Sequence, residues 1–212
     1  MIVKVCGVRS AEVVEVARDA GADWIGLVLE PRSPRYVDDA AAREVRAAAK
    51  GLDLIGVFVE PEPAECEEAA DRYGLAAVQV HGDVAPAFVE RCAVPVIRGL
   101  NVGSADAAFT TDWWPDGTIL LDGPPQAGEL PGGTGRRVPL DLARDLALHR
   151  RVVLAGGLDA GSVGEAVTVV RPYGVDASSG LERERGVKDP GRVRDFVTAA
   201  RAAFAALPAA AG

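Results

Sequence analysis

The chain has 212 residues, with 23 Lys and Arg against 31 Asp and Glu for a formal charge of −8, and 49% of its residues are apolar. Such a chain buries a core large enough to offset its ordering entropy, which excludes a disordered protein. Its acidic balance gives no basic footprint for a nucleic-acid partner, and its longest apolar runs, such as 54–59, fall far short of the roughly 20 residues that cross a bilayer, so no membrane partner is expected either.

Met1 leads directly into a first strand candidate at 2–6, without the charged and long apolar regions of a secretory leader, so a cytoplasmic location is expected. A helix near 10–20 follows, opened by Ser10 and closed by Gly21, then a strand at 24–29. The next helix, near 39–50, lies between Asp38 and Gly51, and the next strand at 54–59. A helix near 63–73 ends before Gly74 and is followed by a strand at 76–80, a helix near 84–92 and a strand at 94–98. Residues 101–116, with Trp113 and Trp114, show no helical period, so a fifth helix there is expected to be short or missing. The chain continues with strand 118–122, helix 139–149, strand 152–155, helix 160–170 behind Asp159, strand 174–177 and helix 190–206. Ser, Asp and Gly at these borders are the residues that cap helix ends. Each strand is short and nearly all apolar, as expected when both faces are buried.

Eight strands joined by crossover helices form either an open doubly wound sheet or a closed (β/α)₈ barrel of the TIM type. The count of eight favours the barrel, for which 212 residues is close to the lower size limit. Residues 1–212 read as one domain. Residues 123–137 hold three prolines and five glycines, a loop long enough to be functional or mobile.

Three cysteines, Cys6, Cys66 and Cys92, and two histidines, His81 and His149, give neither a disulfide framework nor the spacing of a metal site. Cys66, Cys92 and His149 read as structural. Chemistry is left to carboxylates, one thiol, basic side chains and backbone amides. In a barrel these act at the carboxyl ends of the strands, where Cys6, Arg35, His81 and Asp122 fall. Gly156 and Gly157 follow strand seven, and Ser178, Ser179 and Gly180 follow strand eight, the two places where such barrels hold a phosphate. A Gly-Gly pair on its own also serves as a tight turn. Lys4 and Cys6 alternate with Val3 and Val5, so they point into the barrel, where an ammonium favours a thiolate and makes Cys6 a candidate general base. The alternative is a small buried hydrophobe. Asp122 at the mouth of an apolar barrel is a candidate general acid or a loop cap. Asp176 shares a face with Ser178, and strand eight closes on strand one, so a buried Lys4–Asp176 pair is expected. Thr134 in Gly132-Gly133-Thr134-Gly135 is a candidate ligand contact on a lid, or loop filler.

Assembled in order, Val-Lys-Val-Cys-Gly-Val (3–8), Gly-Ala-Asp-Trp-Ile-Gly (21–26), Ser-Pro-Arg-Tyr-Val (33–37), Val-Gln-Val-His-Gly (78–82), Leu-Leu-Asp (120–122), Gly-Gly-Thr-Gly (132–135), Ala-Gly-Gly-Leu (155–158), Gly-Val-Asp-Ala-Ser-Ser-Gly-Leu-Glu (174–182) and Gly-Val-Lys-Asp (186–189) resemble the phosphoribosylanthranilate isomerase family of tryptophan biosynthesis. The resemblance implies a (β/α)₈ barrel and an Amadori rearrangement of N-(5′-phosphoribosyl)anthranilate to a 1-deoxyribulose 5-phosphate, with no cofactor. It implies Cys6 as the base at C2′, Asp122 as the acid at the ring oxygen, Arg35 on the anthranilate carboxylate, and Gly157, Ser179 and Gly180 in the phosphate loops. The expected partner is a phosphosugar, and the expected assembly a monomer or homodimer. Two stretches depart from the family pattern. Val138-Pro139-Leu140 stands in place of Phe-Asp-Trp, and 159–163 lacks the usual Asn before Val. The competing readings are another ribose-phosphate barrel such as indole-glycerol-phosphate synthase, in which the Cys6 and Asp122 pair has no evident role, and a non-catalytic phosphosugar-binding barrel.

Overall fold

Short β-branched runs alternating with Ala-rich amphipathic stretches produce the observed order of elements. The structure, a computed structural model, describes residues 1–102, 115, 117–124, 130, 133 and 135–208. Its strands are β1 (Ile2–Cys6), β2 (Trp24–Val28), β3 (Asp53–Val59), β4 (Ala77–His81), β5 (Val96–Asn101), β6 (Thr118–Asp122), β7 (Arg151–Leu154) and β8 (Gly174–Ala177). They pair in sequence order, all parallel, and β8 returns to β1 to close the barrel. Among the described residues the outer layer is α1 (Ala11–Ala20), α2 (Asp39–Ala48), α3 (Pro63–Tyr73), α4 (Ala87–Arg91), α5 (Leu140–Ala147), α6 (Val163–Val170) and α7 (Pro190–Ala205). The reading of 101–116 falls largely on residues 103–114 and 116, outside the described residues.

Helix borders follow the capping chemistry with three exceptions. Gly21 and Gly74 are left-handed C-caps, and the Asp38 carboxylate accepts from the Ala41 amide at 2.9 Å. Ser10 stands at the start of α1 but its hydroxyl makes no capping bond. Gly51 is left-handed yet lies two residues past Ala49, which ends α2. Asp159 instead forms a turn before α6, accepting from the Ser162 amide at 2.9 Å and hydroxyl at 2.8 Å. A second difference follows β8. A 3₁₀ turn (Ser179–Leu181) runs into an antiparallel hairpin, β9 (Glu182–Glu184) and β10 (Val187–Lys188), before Asp189 caps α7. Strands of three and two residues are too short to show a period, so sequence patterning is blind to them.

Side-chain alternation sorts the strands into two surfaces. Val3 and Val5 are fully buried outward, in the core shared with the helices, while Lys4 and Cys6 point inward. The interior is filled by Ile55, Ile97, Leu120, Val153 and Ala155, with Cys6, Val28 and Val57 in a separate cluster. Burying an Ile or Leu fully contributes about 1.5–3 kcal/mol. This apolar plug makes the barrel a packed core with a floor, and the polar residues at the strands' carboxyl ends stand above it.

Candidate active site

At those carboxyl ends lies a cavity of about 630 Å³, lined by residues that include Cys6, Arg35, His81, Asp122, Gly157 and Ser179, within the size range of small-molecule sites. Its base is ionic. Register pairs Lys4 with Asp176 across the closing seam, and the ammonium stands 3.1 Å from the Asp176 carboxylate, the lysine fully buried. The ion pair expected from strand alternation is therefore present.

Cys6 ends β1 and sits beside this pair, 6% exposed. β2 makes room for it, since Gly26 is its register partner and a Cβ there would lie 2.7 Å from the sulfur. The expectation that Lys4 holds the thiol ionised needs correction. Burial pushes the Cys6 thiol up, the Lys4 ammonium pulls it down, the Asp176 carboxylate pushes it up again, and the net shift is upward. The pair as a whole is close to neutral, so it offsets only part of the desolvation cost. At neutral pH Cys6 rests mainly as a thiol.

Asp122 ends β6, 4% exposed. One oxygen accepts from the Gly123 amide at 2.7 Å and the other from the Gly133 amide at 2.8 Å. Burial raises its carboxyl to about 6, against the lowering effect of those two amides. β1 and β6 are not adjacent, so the thiol and the carboxyl approach the cavity from different sectors of its wall.

His81 ends β4 and is held neutral, its pKa lowered to about 3 chiefly by burial and then by the Lys4 and Arg98 cations. The Gln79 amide stands 2.6 Å from its Nε2, within hydrogen-bond distance. The two histidines and three cysteines assemble no metal cluster among the described residues. Thr134 lies outside the described residues.

The phosphate-side candidates are gathered at one edge. Gly156, Gly157, Ser178 and Ser179 line the cavity, and Gly180 lies in the 3₁₀ turn beside them. Among the described residues, the amides of Gly157, Ser179 and Gly180 donate to no protein acceptor. The glycines have a second duty that the sequence did not display. Gly156 and Gly157 have φ of 87° and 62°, and a Cβ on Gly157 would overlap the Gly135 carbonyl, while one on Gly156 would lie 2.6 Å from the Arg136 carbonyl. The pair thus lets the backbone of 135–136 cross the end of β7.

Arg35 is placed where expected, but its fork is already engaged. Nε donates to Glu182 Oε1 at 2.6 Å and Nη2 to Glu182 Oε2 at 3.1 Å, leaving Nη1 toward Gly133, whose Cβ would lie 2.7 Å from it. Glu182 also accepts from Lys188 at 2.7 Å and from the Gly186 amide at 3.1 Å. Burial raises the Glu182 carboxyl, but the Arg35 hydrogen bond and the Lys188 ammonium outweigh it and bring it to about 2. Sequence reasoning missed Glu182, Lys188 and Gln79. All three lie inside the quoted motifs; for Glu182 and Lys188 the available signal was charge in the segment after the last barrel strand, and for Gln79 it was alternation with His81 along one strand.

A closed (β/α)₈ barrel whose mouth joins a buried thiol, an elevated carboxyl and cationic anchors defines a barrel enzyme of the proton-transferring kind. The model of the N-(5'-phosphoribosyl)anthranilate (PRA) isomerase family matches residues 3–199, and the chain belongs to that family. The N-(5'-phosphoribosyl)anthranilate isomerase of Desulforudis audaxviator is 37% identical over 205 residues, 96% of this chain and 99% of the relative. Two solved structures superpose closely. Monomers derived from the dimeric phosphoribosylanthranilate isomerase of Thermotoga maritima give a TM-score of 0.83 at 29% identity over 95% of this chain and 100% of that one. A phosphoribosyl anthranilate isomerase in complex with reduced 1-(o-carboxyphenylamino)-1-deoxyribulose 5-phosphate gives 0.81 at 30% identity, over the same shares.

Proposed function

We infer that this chain isomerises N-(5′-phosphoribosyl)anthranilate to 1-(2-carboxyphenylamino)-1-deoxyribulose 5-phosphate in tryptophan biosynthesis, by general acid–base catalysis. The observation that carries the reading is the joint presence, in one cavity of this family's barrel, of the Cys6 thiol and the Asp122 carboxyl with its pKa near 6. In the reaction Asp122 gives its proton to the furanose ring oxygen as the C1′–O bond breaks, and the nitrogen lone pair forms the C1′=N bond. Cys6 as thiolate then takes the C2′ proton, whose electron pair forms C1′=C2′ and neutralises the nitrogen. The resulting enolamine tautomerises to the ketone. The protein's groups only give and take protons while the ring C–O bond opens within the substrate, so the chemistry calls for no cofactor.

The two ends of the substrate are anionic, which fits the two ends of the cavity. The free amides of Gly157, Ser179 and Gly180 take the phosphate in this reading, with Gly156 and Ser178 shaping the loops. Arg35 takes the ring carboxylate through Nη1, the edge that Glu182 leaves uncovered. Lys4 and Asp176 support the thiol from below, and neutral His81 with Gln79 forms a polar wall. The relative bound to the reduced product supports this assignment by its ligand, which carries both anions. An indole-glycerol-phosphate synthase or a non-catalytic binder gains no support from these relatives. A cytoplasmic location accords with a biosynthetic role, and no described helix is long and apolar enough to cross a membrane. The chain acts as a monomer or homodimer, which light scattering at working concentration separates.

The test is direct. Purified protein added to freshly made phosphoribosylanthranilate should extinguish the substrate's anthranilate fluorescence faster than its spontaneous decay. A rate equal to that decay would sink the reading.

A further inference from the structure

The ionic groups behind the cavity wall form one connected strut. Lys188 has three donors, and all are spent: on the Ser178 carbonyl at 3.1 Å, the Ser178 hydroxyl at 3.2 Å and Glu182 Oε1 at 2.7 Å. Glu182 has two oxygens, and both also receive Arg35. The Arg192 guanidinium bonds to the Glu182 carbonyl, and the Gly186 amide to its carboxylate, so the hairpin that carries Glu182 is fixed at both ends. Arg35, Glu182 and Lys188 are 8%, 8% and 5% exposed, and such buried charges keep one geometry because any other leaves a charge without a partner. The chain of contacts runs from Arg35, beside Gly133, to Ser178, at the start of the loop that lines the cavity.

We propose that Glu182 and Lys188 are positioning residues that make the enzyme selective for ligands with two anionic ends. Glu182 holds the Arg35 fork so that only Nη1 faces the cavity, and Lys188 pins Ser178 so that the following amides keep their direction. The β9–β10 hairpin therefore sets the span between the carboxylate end and the phosphate end of the site. Two cations share one carboxylate, which also leaves the strut with one surplus positive charge beside an anion-binding cavity in a chain of net charge −8. The proposal rests on the reading of Arg35 and the Ser178–Gly180 loop given above.

Three ligands test it in binding titrations with the full chain: reduced 1-(2-carboxyphenylamino)-1-deoxyribulose 5-phosphate, the same compound without the ring carboxylate, and the same compound without the phosphate. The preference for the carboxylated ligand should fall about tenfold or more in Glu182→Gln, and the preference for the phosphorylated ligand by a similar factor in Lys188→Met, the size expected when one charge-assisted hydrogen bond is lost. A merely structural role would weaken all three ligands alike, and that result overturns the proposal. Tighter binding of the carboxylated ligand to Glu182→Gln also overturns it, because Glu182 would then be competing for Arg35 and not orienting it. Where a single variant does not fold, Glu182→Gln/Lys188→Met removes both charges and should lose both preferences while retaining a cooperative melt; unchanged preferences in it refute the strut. Arg35→Lys separates the underlying reading. If the carboxylate preference survives that change, Arg35 is not the carboxylate end and the proposal falls with it. If Arg35→Lys loses the preference while Glu182→Gln keeps it, only the positioning role fails.

Discussion

Replacing either member of the Lys4–Asp176 pair should destabilise the barrel far more than an ordinary charge deletion. The ammonium is fully buried and its partner carboxylate nearly so, 3.1 Å apart, at the base of the cavity and above the apolar plug. Lys4→Met or Asp176→Leu alone strands the other charge, which costs about 3–5 kcal/mol. In a domain of this length each kcal/mol lowers Tm by about 2–4 °C, so a loss of roughly 6–20 °C is expected. The double replacement removes both charges and should recover most of that loss, because a buried ion pair and an apolar pair of similar volume are often close in stability. Urea unfolding of the four proteins gives the coupling energy directly. The sign with pH is fixed as well. Burial lowers the Lys4 pKa, but Asp176 and Cys6 outweigh it and leave it above 10.5. Its contribution is therefore present below that pH and lost as pH rises through the folded value. Single replacements that cost under about 1 kcal/mol, or a double that costs their sum, would refute the buried-pair argument.

Three further outcomes follow from the same geometry. Turnover needs Asp122 protonated and Cys6 ionised, so with the carboxyl at about 6 and the thiol raised, kcat/KM should hold a low plateau between the two values and fall on either side. Asp122→Asn should lose the fall at high pH and leave a rate that rises up to the thiol's value and then levels off, and a high-pH fall that persists there would assign it to another group. Gly157→Val should abolish binding of inorganic phosphate, since φ is 62° and its Cβ meets the Gly135 carbonyl, whereas Ser179→Ala should weaken it only severalfold; equal small effects measured by calorimetry would count against an amide cradle. Gly26→Ala should push the Cys6 sulfur from its place, because the new methyl lies 2.7 Å from it, and should lower kcat more than it raises KM in steady-state assays; an unchanged kcat would mean that the thiol's position is not critical.

The barrel was legible because its signal is periodic and repeated. Eight apolar runs with helical spacers define the strand count, and alternation alone placed Lys4 against Asp176 and Val3 against the helices. Motif positions led to Cys6, Asp122 and Arg35, all of which line one cavity. What stayed illegible depends on three-dimensional balance. Whether Lys4 ionises Cys6 depends on burial and on Asp176, neither visible in a spacing. The Arg35–Glu182 fork joins residues 147 positions apart through a hairpin too short for any period. Gly156 and Gly157 read as an anion approach, and their contact with the 135–136 backbone appears only once the loop is folded over β7.

In this reading Cys6 and Asp122 supply the base and the acid of one isomerisation. Cys6→Ser keeps size and geometry but replaces an ionisable thiol by a hydroxyl that stays protonated, and Asp122→Asn keeps the size and one of the two amide contacts but has no acidic proton to give. Single-turnover fluorescence decay of phosphoribosylanthranilate with each variant, beside titration of the reduced product, is the measurement that decides. Rates should be lower by roughly 10²–10⁴ in both variants, the usual worth of a positioned acid or base, with product affinity retained. A Cys6→Ser protein that turns over at near the unsubstituted rate would contradict this reading and return Cys6 to the role of core filler.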